Sequence, residues 1–224
     1  MSRTGASTPE AAKTAAQLQT DLSVPGVTAL FSWPSAGGTA DYWSDEESIQ
    51  LSERYLCQFL REMSDRLDVD KIHVLAHSMG NRALLRVAMR AADGSTSTEG
   101  IKLGQVILAA ADVGRRLFRV EASAYHELAE GVTMYVSSGD RALRSSAVVH
   151  RGHRAGFCPP YTKVPGIHVI DASKIDLSLL GHGYYAQSRT VLGDIYGILR
   201  DAHHPSARFG LRHDSETDIW HMRE

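Results

Sequence analysis

Apolar residues follow two patterns along this chain: continuous runs of strand length, and runs that recur every three or four residues. The continuous runs predict strands over residues 27–33, 72–76, 103–111, 131–137 and 166–170. The periodic runs predict helices over about residues 8–22, 45–67, 80–92, 115–129, 141–149 and 188–202. Because strands and helices alternate and the strands are almost continuously apolar, we expect an α/β fold. Its sheet should be open and mostly parallel, with helices on both faces.

The same pattern defines the extent of the domain. We expect one domain over residues 1–202, because no internal repeat and no second set of elements interrupts the alternation. Residues 203–224 are polar and follow neither pattern, so they predict an irregular C-terminal tail. A chain of 224 residues is long enough to bury a sizeable core in one such domain.

A serine at a strand–helix junction is the strongest chemical signal in the chain. Ser78 follows the apolar run 72–76 and precedes the periodic run that starts near Gly80. Such a turn is the nucleophile elbow, in which the serine hydroxyl projects from the sheet edge at a helix N-terminus. Ala76 and Gly80, two residues to either side, are small enough for the close approach of strand and helix. The alternative is an ordinary strand–helix turn with a solvated serine.

A catalytic serine needs a base and an acid, and candidates for both follow Ser78 along the chain. The base removes the hydroxyl proton, and the acid holds the base in the right tautomer. Asp140 and His182 follow later strands, in the chain order that nucleophile elbows require. Asp112 ends the strand after the elbow helix and is the rival for the acid. Helix N-capping is the alternative role for either aspartate.

The other histidines fit a catalytic or metal-binding role less well. His77 adjoins the serine but points the wrong way for a base, and His73 and His168 lie within strands, where we expect packing roles. His150 and His153 share a loop, yet no third ligand is spaced to match them, so we expect no metal site. The remaining histidines of the tail are expected to be solvated: His203, His204, His213 and His221.

The elbow also suggests which residues meet a substrate. The N–H of Met79 follows the serine directly and is the expected oxyanion donor. Trp33 and Ser35 lie at the carboxyl end of the first predicted strand, where open parallel sheets bind ligands. With His77 and Asp112 they form the expected substrate pocket.

Composition and charge exclude several classes of function and location. A net charge of −2 gives no electrostatic reason to bind nucleic acid. No apolar run approaches the ~20 residues that span a bilayer, and the first ten residues lack the apolar centre of a signal peptide. Cys57 and Cys158 form neither a disulfide framework nor a metal pattern, so reduced thiols are expected. We therefore expect a cytoplasmic protein without a transmembrane segment or cofactor.

Five short segments together resemble a bacterial branch of the α/β-hydrolase superfamily. They are residues 31–35 (FSWPS), 76–81 (AHSMGN), 110–113 (AADV), 138–143 (SGDRAL) and 181–184 (GHGY). Members of this branch are mostly esterase- and lipase-like proteins of unknown function. The resemblance runs from about residue 8 to 200. It implies the serine-hydrolase fold and supports Ser78, Asp140 and His182 as the triad, without implying a substrate.

The chain departs from that branch near its N-terminus. Similar proteins carry, before their first helix, a strand ending in a His-Gly loop that donates the second oxyanion N–H. This chain starts about where that strand would end, with residues 4–7 in the place of the loop. The resemblance therefore implies a fold without the N-terminal strands, unless a preceding segment, which could carry an export signal, belongs to the protein. Losing one oxyanion donor typically lowers the rate by about 10²–10³. An exposed sheet edge would also favour a homodimer.

Two functional hypotheses follow. The first is a serine hydrolase that cleaves a small-molecule ester or thioester through an acyl-enzyme on Ser78. The second is a catalytically idle α/β-hydrolase scaffold that acts as a binding or structural module. The presence of all three candidate triad residues favours the first, whereas the implied loss of an oxyanion donor favours the second.

Overall fold

The computed structural model describes residues 8–23, 25–35, 42–95, 98–175 and 185–223. Within these ranges the helices are α1 (Thr8–Leu22), α2 (Tyr42–Arg66), α3 (Gly80–Ala92), α4 (Arg115–Glu121), α5 (Tyr125–Leu128), α6 (Arg141–Val149) and α7 (Tyr185–Asp201). The strands are β1 (Ile72–His77), β2 (Leu103–Ala109), β3 (Ala129–Val136), β4 (Ile167–Asp171), β5 (Leu211–Asp214) and β6 (Ile219–Met222).

The described strands form one six-stranded sheet in the order β1-β2-β3-β4-β6-β5. All neighbours are parallel except β5 and β6, which are antiparallel. The ladder pairs Leu108 of β2 with Met134 of β3, and Val136 of β3 with Asp171 of β4. Parallel pairing places the carboxyl ends of β1 to β4 at one edge of the sheet, as the sequence predicts.

Helices cover both faces of this sheet. Val106 and Leu108 of β2 pack in one buried cluster with α2 and α3, whereas Ile107 between them packs in a second cluster with α7. Successive side chains of a strand point to opposite faces, so a strand that is covered on both sides must be continuously apolar. β2 is buried at every position. The expected α/β class, an open and mostly parallel sheet with helices on both faces, is confirmed.

The predicted buried strand over residues 27–33 is wrong. This segment has no regular secondary structure, and 92% of Val27 and 41% of Leu30 are exposed. Among the described residues, no backbone–backbone hydrogen bond involves residues 25–35. An apolar run favours a strand, but a strand also needs a neighbour, and none of the described strands pairs with this segment.

The expectation of an irregular segment after residue 202 is also wrong. A 3₁₀ turn at Pro205–Ala207 leads into the hairpin of β5 and β6, and β6 adds to β4 in parallel. Ile219 and Met222 are buried in the two apolar clusters. Strands of four residues are too short to show an alternating pattern, so their pairing with β4 decides their conformation.

Smaller differences concern the ends of helices. The helix predicted over 115–129 is divided into α4, a 3₁₀ turn at Ala122–Ala124 and α5. Helix α2 begins at Tyr42, three residues earlier than expected. The Tyr42 hydroxyl forms buried hydrogen bonds with Asp112 and Ser146.

Candidate active site

The serine elbow predicted from the sequence is present in the structure. β1 ends at His77 and α3 begins at Gly80, so only Ser78 and Met79 lie between strand and helix. The backbone of Ser78 is left-handed, with a φ of 52°. That conformation costs a residue with a Cβ roughly 1–2 kcal/mol, and such strain persists only where the surrounding structure enforces it.

Hydrogen bonds to the end of β2 hold Ser78 in this conformation. Its N–H donates to the carbonyl of Ala109 at 3.0 Å, and its carbonyl accepts the N–H of Asp112 at 3.2 Å. The buried amide of Asn81 donates to the carbonyls of Ser78 at 2.9 Å and Ala109 at 3.1 Å. The elbow is therefore fastened to the neighbouring strand from both sides. The sequence did not predict this role for Asn81, although the position of its amide directly after the elbow glycine could have indicated it.

Met79 and Gly80 begin the helix behind the serine. The side chain of Met79 is buried, and its backbone N–H has no acceptor among the described residues. An unengaged N–H at the start of a helix is suited to stabilise an oxyanion. A Cβ added at Gly80 would lie 3.6 Å from the Trp33 ring, an ordinary contact. The space beside Trp33 therefore does not itself require glycine at this position.

Ser78 and Asp140, at the carboxyl edge of the sheet, line one large cavity that extends along β1. The cavity has a volume of about 2300 Å³, and Trp33, Ser35 and His77 also line it. The Ser35 hydroxyl donates to the carboxylate of Asp45 at 2.7 Å. The indole N–H of Trp33 is buried without an acceptor among the described residues, so it is a donor that a bound group could engage.

Asp140 caps a helix while it faces this cavity. Its Oδ1 accepts the N–H of Leu143 at 2.9 Å, which makes Asp140 the N-cap of α6. Asp140 follows β3, and the ends of β1 and β3 are two strand spacings apart, about 10 Å. His182 lies outside the described residues, so the expected base and its two contacts stay predictions.

Asp112, the rival acid and expected pocket residue, is placed elsewhere. It is 2% exposed and does not line the cavity. Its carboxylate accepts hydrogen bonds from the hydroxyls of Tyr42 and Ser146, the second at 2.6 Å, and Arg154 lies 3.2 Å away. Burial, followed by the charge of Asp112, raises the pKa of the Tyr42 phenol. The surroundings of Asp112 indicate a structural role.

Arg82 extends this buried network towards the surface. Its guanidinium donates to the carbonyl of Asp112 at 2.6 Å and pairs with Glu46 at 2.6 Å. Glu46 also contacts Nε2 of His150 at 3.0 Å, and Nδ1 of that ring faces the Ser146 carbonyl at the same distance. The network thus joins α2, α3 and α6 beside the elbow. Its members are scattered along the chain, which is why sequence reasoning missed it.

The model of a family described as alpha/beta hydrolase of unknown function (DUF900) matches residues 5–199. The chain belongs to this family. Comparison with curated proteins gives no match, and neither does comparison with solved structures. Membership confirms the resemblance seen in the sequence and supports a hydrolase-type function.

This α/β-hydrolase has an aspartate–histidine contact further along the same sheet edge. His221 of β6, expected to be solvated, is partly buried, 3.6 Å from Asp171 and 3.8 Å from Asp214. Asp171 also accepts the Tyr161 hydroxyl at 2.5 Å and the N–H of Ser173 at 2.8 Å. β6 lies four strand spacings from β1, about 19 Å, so His221 cannot serve as the base for Ser78.

The described residues also bear on metal-based and cysteine-based chemistry. Among those residues, no three His, Cys, Asp or Glu side chains come together as a metal site. Cys57 and Cys158 are free and buried, and burial raises the pKa of the Cys158 thiol to about 11. Within the described ranges, every helix is too short or too polar to cross a bilayer.

Proposed function

We propose that this protein is a serine hydrolase that cleaves an ester or thioester, with Ser78 as nucleophile, His182 as base and Asp140 as the acid that orients it. One observation carries the proposal: the left-handed backbone of Ser78 at a strand–helix turn on the wall of a large cavity. A strained conformation that is held by the Ala109 carbonyl, the Asp112 N–H and the Asn81 amide needs a reason, and presentation of a nucleophile is the one that this turn serves elsewhere.

The reaction has two halves. In the first, Oγ of Ser78 attacks the acyl carbon while His182 takes its proton, and the Met79 N–H stabilises the negative oxygen of the tetrahedral intermediate. The intermediate collapses as His182 returns the proton to the departing alcohol or thiol. In the second half, His182 deprotonates a water molecule that attacks the acyl-serine. Collapse then releases the carboxylic acid and restores the Ser78 hydroxyl.

The placement of the two aspartates supports Asp140 as the acid. The ends of β1 and β3 are separated by about 10 Å, a gap that a histidine ring between a hydroxyl and a carboxylate would span. Asp140 lines the same cavity as Ser78, whereas the carboxylate of Asp112 is engaged by Tyr42 and Ser146 away from that cavity.

An active-site-directed fluorophosphonate provides the test. We expect it to label the folded protein at Ser78, with Ser78→Ala unlabelled and Asp140→Asn or His182→Gln labelled about 10²–10⁴ times more slowly. Ser145→Ala is the matched control, because Ser145 lies on α6 outside this cavity and its exposed hydroxyl is bonded to the carbonyl of Arg141. This variant should be labelled at the wild-type rate. Peptide mapping by mass spectrometry identifies the modified residue.

Hydrolysis of short p-nitrophenyl esters and thioesters complements the labelling. Turnover that Ser78→Ala abolishes and Ser145→Ala retains would support the hydrolase. Folded protein that is neither labelled nor active would contradict it and would favour the idle scaffold, with the cavity serving only to bind. Labelling without turnover would point to transfer of the acyl group to an acceptor other than water.

A further inference from the structure

Two segments of the chain combine arginines with exposed apolar side chains. They are residues 113–120, which contain most of α4, and residues 141–155, which form α6 and the loop after it. Together they hold seven of the 24 Lys and Arg residues and none of the 26 Asp and Glu residues. Positive charge is therefore concentrated in these segments, although the whole chain has a net charge of −2.

Backbone hydrogen bonds join the two segments side by side. The N–H of Arg115 donates to the carbonyl of His153 at 2.9 Å, and the N–H of Ala155 donates to the carbonyl of Val113 at the same distance. An isolated antiparallel bridge lies between these two bonds. The segments are therefore neighbours in the fold, and we call the exposed side chains of residues 113–120 and 141–155 the basic face.

Helix α6 turns basic and apolar positions outward. Its inner side includes the buried Ser146. Arg141, Arg144 and Val148 are exposed and follow one another at intervals of three and four residues, so they share the outer side of the helix. Val148 is 75% exposed. Because Arg141 lines the same cavity as Ser78, the basic face reaches the rim of the proposed active site.

Helix α4 and the start of α2 extend this combination of charged and apolar groups. On α4, Arg116, Arg119 and Val120 are exposed, with Val120 at 72%. Trp43 of α2 is 63% exposed, and its ring centre lies 5.3 Å from that of His150. Exposed apolar side chains grouped around charged ones are typical of contact surfaces.

The exposed arginines of the basic face lack partners of opposite charge. Among the described residues, Arg116, Arg119 and Arg151 form no ion pair, whereas the buried Arg154 pairs with Asp112 at 3.2 Å. Neighbouring like charges repel each other, and an anionic surface that neutralises them is attracted to such a face. The basic face is therefore complementary to a partner that is both anionic and apolar.

An anionic lipid bilayer combines these two properties. Its headgroups offer anionic oxygens to arginines, and its acyl chains begin directly below and accept aliphatic side chains. Tryptophan is enriched at this boundary. A nucleic acid would neutralise the arginines through its phosphates but would leave Val120 and Val148 in water, so the apolar members of the face favour the bilayer.

We propose that the basic face binds the surface of a membrane that contains anionic lipids. Arginines of both segments contact the headgroups, and the exposed valines reach the boundary with the acyl chains. The protein then lies on the membrane surface. This binding does not rest on the proposed hydrolase chemistry, since it involves none of Ser78, Asp140 and His182.

Cosedimentation with lipid vesicles is the first test. Vesicles of phosphatidylcholine with about 30 mol% phosphatidylserine are compared with vesicles of phosphatidylcholine alone, at about 0.1 M salt. The experiment uses the Ser78→Ala protein, so that hydrolysis of lipid cannot alter the vesicles. We expect binding to the anionic vesicles to be at least about tenfold stronger than to the neutral ones, and to weaken at about 0.5 M salt.

Charge reversal separates this face from the rest of the surface. Arg116→Glu combined with Arg151→Glu should weaken binding to anionic vesicles at least about tenfold, because each basic residue near such a surface contributes about fivefold. Arg66→Glu combined with Arg212→Glu is the matched control. Both of these arginines are exposed, form no ion pair among the described residues and lie outside the two segments. The net charge changes equally in the two variants, so the control should bind almost as well as the unmodified face.

A fluorescent probe tests whether the apolar part of the face enters the bilayer. Val148→Cys labelled with a nitrobenzoxadiazole dye should emit more brightly and at shorter wavelength when anionic vesicles are added. Val69→Cys, between α2 and β1, is the control: Val69 is 51% exposed but lies outside the basic face, so its dye should not respond. Cys57 and Cys158 are buried, which confines labelling to the new thiol.

Three results would overturn the proposal: no binding to anionic vesicles, equal weakening by the two charge-reversal variants, or a dye at position 148 that does not respond in the bound state. Salt-sensitive binding to an RNA or DNA duplex, together with a silent dye, would assign the face to nucleic acid instead. None of these results bears on fluorophosphonate labelling of Ser78 in the wild-type protein, so the two proposals fail separately.

Discussion

At the scale of single residues, Ser78 has a left-handed backbone that its side chain disfavours. Ala110, just beyond β2, is also left-handed, with a φ of 46°, and it lines the cavity with Ser78. The two residues lie at the ends of neighbouring strands and are joined through Ala109 and Asn81, an arrangement that fits the role proposed for Ser78.

The strain at Ser78 is measurable with two substitutions. Ser78→Gly and Ser78→Ala both remove the hydroxyl, but only glycine adopts a positive φ without a steric penalty. We expect the glycine variant to be about 1 kcal/mol more stable than the alanine variant, because relief of strain exceeds the extra chain entropy of glycine. Urea denaturation gives the difference directly. Equal stabilities would mean that the turn stores no strain at this residue.

At the scale of elements, the segment after α6 supports the corner where the elbow meets β2. Gly156 donates its N–H to the carbonyl of Ala111 at 3.0 Å and accepts the N–H of Ser137 at 3.0 Å. It thus joins the segments that follow β2 and β3, both of which reach the cavity. A Cβ at Gly156 would lie 2.4 Å from the backbone nitrogen of Ala111, a clash that no rotamer change can relieve.

Gly156→Ala should therefore push the segment after β2 away from its place. We expect a loss of stability of about 1–3 kcal/mol, as for other overpacked sites. Gly193→Ala is the matched control: it lies in α7 with nothing within 4 Å of an added Cβ, so helix propensity should stabilise it by up to about 1 kcal/mol. Thermal unfolding of both variants tests this. A neutral Gly156→Ala would show that the two segments move apart easily.

At the scale of the whole molecule, packing between β4 and the residues after α7 shields the His168 ring from water. Protonation of this ring should destabilise the fold in acid. The ring of His168 on β4 meets that of His204, after α7, at 4.8 Å in an edge-to-face contact. Burial, with added contributions from His204 and Arg208, lowers the pKa of His168 to about 4. The fold therefore holds His168 neutral, whereas the unfolded chain binds a proton near pH 6.5.

Stability should consequently fall as the pH is lowered. Between about pH 6.5 and 4 the unfolded chain binds more protons than the fold, so this contribution is complete above 6.5 and is lost towards 4. Because the ring keeps some contact with solvent, we expect a loss on the order of 1–2 kcal/mol. Urea denaturation at several pH values should show a shallower dependence for His168→Gln, whereas His153→Gln, at an exposed position, should keep the wild-type dependence.

The elements that the sequence predicted well are those whose conformation is determined by residues close together in the chain. The strands β1 to β4, the helix after the serine and α6 follow from periodicity within a few neighbouring residues, and the elbow follows from one strand, one turn and one helix. Residues 27–33 and the hairpin of β5 and β6 were missed for the opposite reason. Whether a short segment becomes a strand depends on a neighbour far along the chain, which periodicity does not contain.

The same distinction between local and long-range information applies to the candidate site. Sequence alone determined the α/β class, the position of Ser78 in the elbow and the order of the serine and its candidate partners, because these features belong to contiguous residues and to chain order. Only the tertiary structure decided that Asp112 belongs to a buried network with Tyr42 and Ser146, that Asn81 fastens the elbow to β2, and that residues 27–33 do not join the described sheet. Burial and hydrogen bonding arise between residues distant in sequence, so they exist only once the chain has folded.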